Sequence, residues 1–140
     1  MTPFMKSLIK RPCYTVSSGS TLVKVIEILS QHNIGAVLIS DGSNTVDGII
    51  SERDIVRRLT ISQSLEGLLA SDIMTKEVVC VTTATSSSDL MKLMTEKKLR
   101  HLPIVSNDRL IGIVSIGDVV KRLLEKYECE VELMRSFINA

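Results

Sequence analysis

Aromatic residues make up only 3% of this 140-residue chain, and tryptophan is absent. A core built here must come from Val, Ile, Leu and Met. Charge of one sign is lacking as well: 17 Lys and Arg stand against 16 Asp and Glu, a net charge of +1. That balance argues against a general nucleic-acid surface or a strong anionic-membrane binder. No apolar run approaches the roughly 18 residues of a membrane span. The basic N-terminus, with Lys6, Lys10 and Arg11, lacks the apolar segment of a signal peptide. A cytoplasmic protein without a membrane span is expected.

Motifs of catalysis and metal binding are missing too. Cys13, Cys80 and Cys129 are odd in number and far apart, with no CxxC pair and no Cys/His cluster. Reduced thiols and no zinc site follow. There is no Walker loop, no GxGxxG and no nucleophile elbow. The two histidines are scattered, and the six methionines read as core filler. The chain is not expected to be an enzyme.

What is present is a packable composition, 44% hydrophobic and 24% charged, and a repeat. Gly48-Ile49-Ile50-Ser51-Glu52-Arg53-Asp54 returns 64 positions later as Gly112-Ile113-Val114-Ser115-Ile116-Gly117-Asp118. Each copy is a short apolar strand, a hydroxyl, an acid three residues on, and an amphipathic helix. Internal repetition of this kind sets the architecture.

The rest of the chain follows the same doubling. Met5, Leu8 and Ile9 form a helical turn that Pro12 stops. Residues 13–16 read as a strand, and Ser17 to Thr21 as a hydroxyl-rich cap. Leu22, Val25, Ile26 and Leu29 then make one helical stripe, which Asn33 ends. Ile34 to Ile39 is a strand buried on both faces, and Gly35 within it implies close approach of another group. Val46 to Ser51 is the next strand and Asp54 to about Thr60 the next helix, before a link over 61–70 in which Leu65, Leu68 and Leu69 tuck in. In the second half, 78–81, 99–105 and 110–115 read as strands, with helices from Leu90 and from near Gly117. Positions correspond at an offset of 65 before the surface turn at Asp41-Gly42-Ser43-Asn44 and Asn107-Asp108, and of 64 after it, one loop residue fewer in the second half.

The fold class is therefore α+β: two β-α-β-β-α units packed sheet to sheet about a pseudo-twofold axis. The first unit with its N-terminal lead covers 1–66, the second 67–127, and a C-terminal helical extension 128–140. Val120, Leu123, Leu124, Tyr127, Val131, Met134 and Ile138 carry an apolar stripe into that extension. It either packs back on its own module or contributes to a subunit interface.

The repeated turn offers two chemistries. A helix N-terminus favours phosphate, Ser51 and Ser115 can donate to it, and Asp54 and Asp118 can accept ribose hydroxyls. The other reading is a capping box, in which Ser and Asp satisfy only their own helix. Arg100 and His101, beside Pro103 at the start of an apolar strand, suit a phosphate clamp or an exposed strand end. Arg53 reaches a phosphate or lies on a solvated face. His32 is expected on the helix surface.

On these segments, with Asn33-Ile34-Gly35-Ala36-Val37 and Leu99-Arg100-His101-Leu102-Pro103, both halves resemble the cystathionine-β-synthase (CBS) domain. Together they resemble a stand-alone CBS pair. The resemblance implies a non-catalytic regulatory module that senses an adenosine-containing ligand in the cleft between repeats. AMP, ADP, ATP, NAD(H) and S-adenosylmethionine are the implied ligands, and a homodimer acting on a partner protein is the implied assembly. It further implies that Asp54 and Asp118 hold ribose, while Ser51, Ser115, Arg53, Arg100 and His101 approach phosphate. Ser20, Thr85 and the backbone of Gly35 and Ala36 border the adenine, and Pro103 is expected among the nucleotide-binding residues beside Arg100 and His101. Gly35-Ala36 stands where the second repeat has Arg100-His101, so the two sites should differ. The alternative is a ligand-free dimeric interaction module for a partner enzyme or transporter.

Overall fold

Each half of the fold begins with a hydroxyl that caps a helix. The computed structural model describes residues 1–139. Thr21 Oγ1 accepts from the Lys24 N–H at 3.2 Å and opens α2 (Leu22–His32). Ser86 Oγ accepts from the Asp89 N–H at 3.1 Å and opens α5 (Ser87–Lys97). Both helices stop at a left-handed residue, Asn33 (φ 51°) and Lys98 (φ 56°). That conformation lets the cap N–H bond back to carbonyls of the last turn.

The strands follow as the repeat predicts, with shorter bounds except for the last, which begins one residue earlier, at Arg109. In the first half β1 (Thr15–Val16) runs parallel to β2 (Ala36–Ile39), which pairs antiparallel with β3 (Gly48–Ser51). All four residues of β2 are buried. In the second half β4 (His101–Ser106) and β5 (Arg109–Ser115) form an antiparallel pair. The strand expected over 78–81 is reduced to one bridge, Val81 to Ile104. The cause is Pro103. It occupies the place of Leu38, whose N–H donates to the Tyr14 carbonyl at 3.4 Å; proline has no N–H to give Val79. What remains is Val81, which donates to the Pro103 carbonyl and accepts from Val105, both at 2.9 Å.

The helices after β3 and β5 also begin earlier than the sequence suggests. α3 spans Glu52–Ser62 and α6 spans Ile116–Ile138, each directly after its serine. The two remaining helices exchange sides. α1 (Pro3–Lys10) puts Met5 and Leu8 among Leu90, Met94, Leu102, Ile104, Val114 and Val119, the core of the second half. α4 (Ala70–Ile73) puts Ala70 among Leu22, Val25, Val37, Ile39 and Ile50, the core of the first. The lead counted with residues 1–66 thus packs in the second body, and the opening of 67–127 packs in the first. Leu65 and Leu68 tuck against the first core as expected, whereas Leu69 stays 39% exposed as the N-cap of α4. His32 is not a free surface side chain: its ring stacks on Tyr14 with centroids 3.8 Å apart.

Candidate functional site

The two strand-to-helix turns are both capping boxes. Asp54 N–H donates to Ser51 Oγ at 3.3 Å, and Asp54 Oδ2 accepts from the Ser51 N–H (2.8 Å) and hydroxyl (3.0 Å). Asp118 N–H donates to Ser115 Oγ at 3.2 Å, and its Oδ2 accepts from Ser115 at 2.8 and 2.9 Å. Capping uses one oxygen of each carboxylate. It therefore does not exclude a ligand on the other.

That second oxygen distinguishes the turns. Asp118 Oδ1 accepts from Arg11 Nη1 at 2.8 Å, and Oδ2 from Nη2 at 2.8 Å; Nη2 also donates to the Ile113 carbonyl at 3.0 Å. Burial works against the Asp118 charge, but the Arg11 guanidinium and the Ser115 N–H and hydroxyl outweigh it and hold the carboxyl below the ordinary range. At Asp54 the corresponding basic residue is Lys76. Among the described residues it makes no ion pair, and nothing bonds Asp54 Oδ1.

Asp54 faces a cavity of about 270 Å³. The start of α3 supplies Ser51, Glu52, Arg53, Asp54 and Arg57. The start of β4 supplies Lys98, Leu99, Arg100 and His101, and the segment after α4 supplies Thr75, Glu77, Val78 and Val79. Thr75 is fixed by a reciprocal pair of backbone bonds with Ile49 at 3.0 Å. Sequence order sets Arg100 and His101 near Asp118, but the cavity they line is that of Asp54. Asp118 lies instead on a separate concavity with Arg11, Phe4 and Lys121.

Gly35 also borders the Asp54 cavity, and its neighbour explains its size. A β-carbon there would stand 3.0 Å from His101 Cε1 and Nε2. Gly35 is the counterpart of Arg100, so where the two strand starts meet, one half supplies the ring and the other the room for it. Burial pushes the His101 pKa down, against the raising influence of Glu52 and Asp118. The imidazole is held neutral beside four fixed cations (Arg53, Arg57, Lys98, Arg100) and three acids (Glu52, Asp54, Glu77).

Six of the twelve expected site residues thus meet here: Gly35, Ser51, Arg53, Asp54, Arg100 and His101. The others do not line this cavity. Ala36 and Pro103 are buried strand residues. Ser20 is tied into its turn, with its carbonyl accepting from the Ala70 N–H at 2.8 Å and its hydroxyl 3.0 Å from that of Ser17. Thr85 Oγ1 accepts from the Thr82 N–H at 3.4 Å on another face. Ser115 caps α6. Sequence reasoning missed Arg11, which engages Asp118, and Thr75, Glu77, Val78 and Val79, which line the Asp54 cavity. Placing Arg11 over Lys76 at the repeat offset was the available signal.

Comparisons with known proteins agree with this architecture. The Arabidopsis thaliana mitochondrial CBS domain-containing protein CBSX3 is 33% identical over 128 residues, covering 88% of this chain and 62% of its own length. The present chain therefore spans under two thirds of that relative. A structure described as a putative signal-transduction protein with CBS domains, from Burkholderia ambifaria, superposes with a TM-score of 0.81 at 34% identity, covering 87% of this chain and 91% of the other. CBSX2 from Arabidopsis thaliana, solved in complex with AMP, superposes with a TM-score of 0.71 at 27% identity, covering 82% and 90%. The CBS-domain family model matches at residues 5–61 and again at 70–125. Both halves are matched almost from end to end, and the chain belongs to the CBS-domain family as a tandem pair.

Proposed function

We propose that this CBS pair is a non-catalytic cytoplasmic sensor that binds one adenosine-containing ligand in the Asp54 cavity and passes its occupancy to a partner protein as a homodimer. The observation that carries the reading is the free Oδ1 of Asp54, set across a cavity of about 270 Å³ from Arg100 and His101. That volume lies just below the roughly 300–1,000 Å³ of small-ligand pockets. Asp54 accepts from the ribose hydroxyls, and Ile49, Val78, Val79 and Leu99 offer apolar surface to the base. Ser51, Arg53, Arg100 and His101 meet phosphate at the N-terminus of α3. The excess of fixed cations favours AMP, ADP, ATP or NAD(H) over the sulfonium of S-adenosylmethionine. The AMP held by the related CBSX2 is consistent with this choice.

Calorimetric titration with AMP, ATP, NADH and S-adenosylmethionine tests the reading. Saturable binding of a phosphate-bearing ligand is expected; no heat from any of the four at millimolar ligand would refute it. The capping boxes are complete without a ligand, which favours the second reading, a ligand-free interaction module. Nucleotide released from the purified protein on denaturation rules against that alternative.

His101 supplies a pH signature. Burial keeps it neutral near pH 7, and a phosphate placed beside it raises its pKa. AMP binding should therefore take up protons at pH 7 and tighten as pH falls. The second ionisation of the phosphate, near 6, pulls the other way and releases protons. Titrations in buffers of different ionisation enthalpy should show net uptake in the native protein and loss of that uptake in His101→Gln. Equal proton exchange in both would remove His101 from the phosphate site.

A further inference from the structure

Helix α6 runs 23 residues, whereas its counterpart α3 runs 11. Val119 is its one buried residue. Among the described residues, Lys126 Nζ, 3.0 Å from Ser87 Oγ on α5, makes the last side-chain bond from this helix to the body of the module. Val120, Leu124, Tyr127, Met134 and Ile138 are exposed, and Val131 is half-buried. These six recur at alternating steps of four and three residues. That is a heptad seam, with Leu124, Val131 and Ile138 at a and Val120, Tyr127 and Met134 at d. Phe137, 82% exposed, widens it at a g position; Leu133 lies off it.

We infer that this seam pairs with the same seam of a second copy of the chain, with the two α6 helices parallel. The charges beside the seam select both occupant and direction. In a parallel pair each g residue faces the e residue five positions on in the other helix. Glu130 then faces Arg135 of the second copy, twice by symmetry. The antiparallel register that aligns all six rungs opposes Lys121 to Arg135, Glu128 to Glu128 and Glu130 to Glu130. Every charged pair in it is repulsive. β-branched Val131 and Ile138 at a positions suit a two-stranded parallel seam. Cys129 falls at f, on the outer face, so no disulfide across the seam is expected. This deepens the pairing step of the proposed function and does not depend on which ligand binds.

Sedimentation velocity of the full chain under reducing conditions, up to about 100 μM so that micromolar pairing is populated, is the test. The native chain should be dimeric, and Val131→Glu with Met134→Glu should weaken the dimer at least about tenfold, since each buries a charge. These side chains lie outside the module cores, so folding is not at stake. Arg135→Glu should weaken the parallel dimer, and adding Glu130→Arg should restore it. In the antiparallel arrangement Arg135→Glu would strengthen pairing, by relieving Lys121. A monomeric native chain, a dimer indifferent to the seam charges, or a stronger Arg135→Glu dimer each overturns the inference. A failure to bind nucleotide leaves it standing, just as a monomer leaves the Asp54 cavity standing.

Discussion

Asp54→Ala should weaken AMP binding by about tenfold to a hundredfold, while Asp118→Ala leaves it within about twofold. A ribose diol donates to a carboxylate, and hydrogen bonds to charged groups contribute about 1.5–3 kcal/mol each. Asp54 has an oxygen to accept them, because capping takes only Oδ2. Asp118 has both oxygens engaged by Arg11 and Ser115. The two variants form a matched pair. Each removes the carboxylate half of one capping box and a negative charge at a helix N-terminus, leaving the serine cap in place, so both should lower the melting temperature. Asp118→Ala should lower it more, because it also strands Arg11 and removes the link between α1 and α6. A fall in stability in both, with a fall in affinity in one, separates ligand contact from folding. Asp54→Asn keeps a capping acceptor and should still lose affinity. Equal loss of affinity at the two positions would contradict the assignment of the ligand to Asp54.

The fold was legible because it is written twice. Gly48 to Asp54 and Gly112 to Asp118 established the unit, and the apolar stripe of Leu22, Val25 and Leu29 the helix that packs on it. What was not legible depends on single residues whose effect appears only across the repeat. Pro103 stands in a run that reads as strand, yet it removes the N–H that Val79 would need, two chain segments away. Met5 and Leu8 look like a local helical turn, but their partners are Leu90 and Val114 in the other half. The site shows the same limit. Ser51, Asp54, Arg100 and His101 have chemistry that can be read from residue type; which acid faces which cation depends on the crossing of the halves. Val78 and Val79 look like one more strand and carry no polar signal, although they wall the cavity. Arg11 looked like a basic terminus, because its carboxylate lies 107 residues away.

Arg11→Ala should raise the number of AMP molecules bound per chain from one to two. The guanidinium that closes Asp118 is 47% exposed and the carboxylate 17%. Exposed ion pairs contribute about 0–1 kcal/mol, and a bidentate geometry somewhat more, so the latch is weak enough to remove without unfolding the module. Its removal returns one carboxylate oxygen to solvent and leaves the Ser115 capping box intact, the state in which Asp54 already stands. The second site should be about tenfold weaker than the first, because Gly35 occupies the place of the clamp residue Arg100. Acid titration gives an independent check on the latch. A carboxyl held below its unfolded value stabilises the fold above about pH 4 and stops doing so as pH falls through its folded pKa. Arg11→Ala should therefore be less stable at neutral pH and lose less stability on acidification than the native chain. If its acid limb changes in this way while stoichiometry stays at one, the latch is structural and the Asp118 turn is no ligand site. If stoichiometry doubles, the number of ligands this pair senses is set by one arginine in a helical lead that packs against the opposite half.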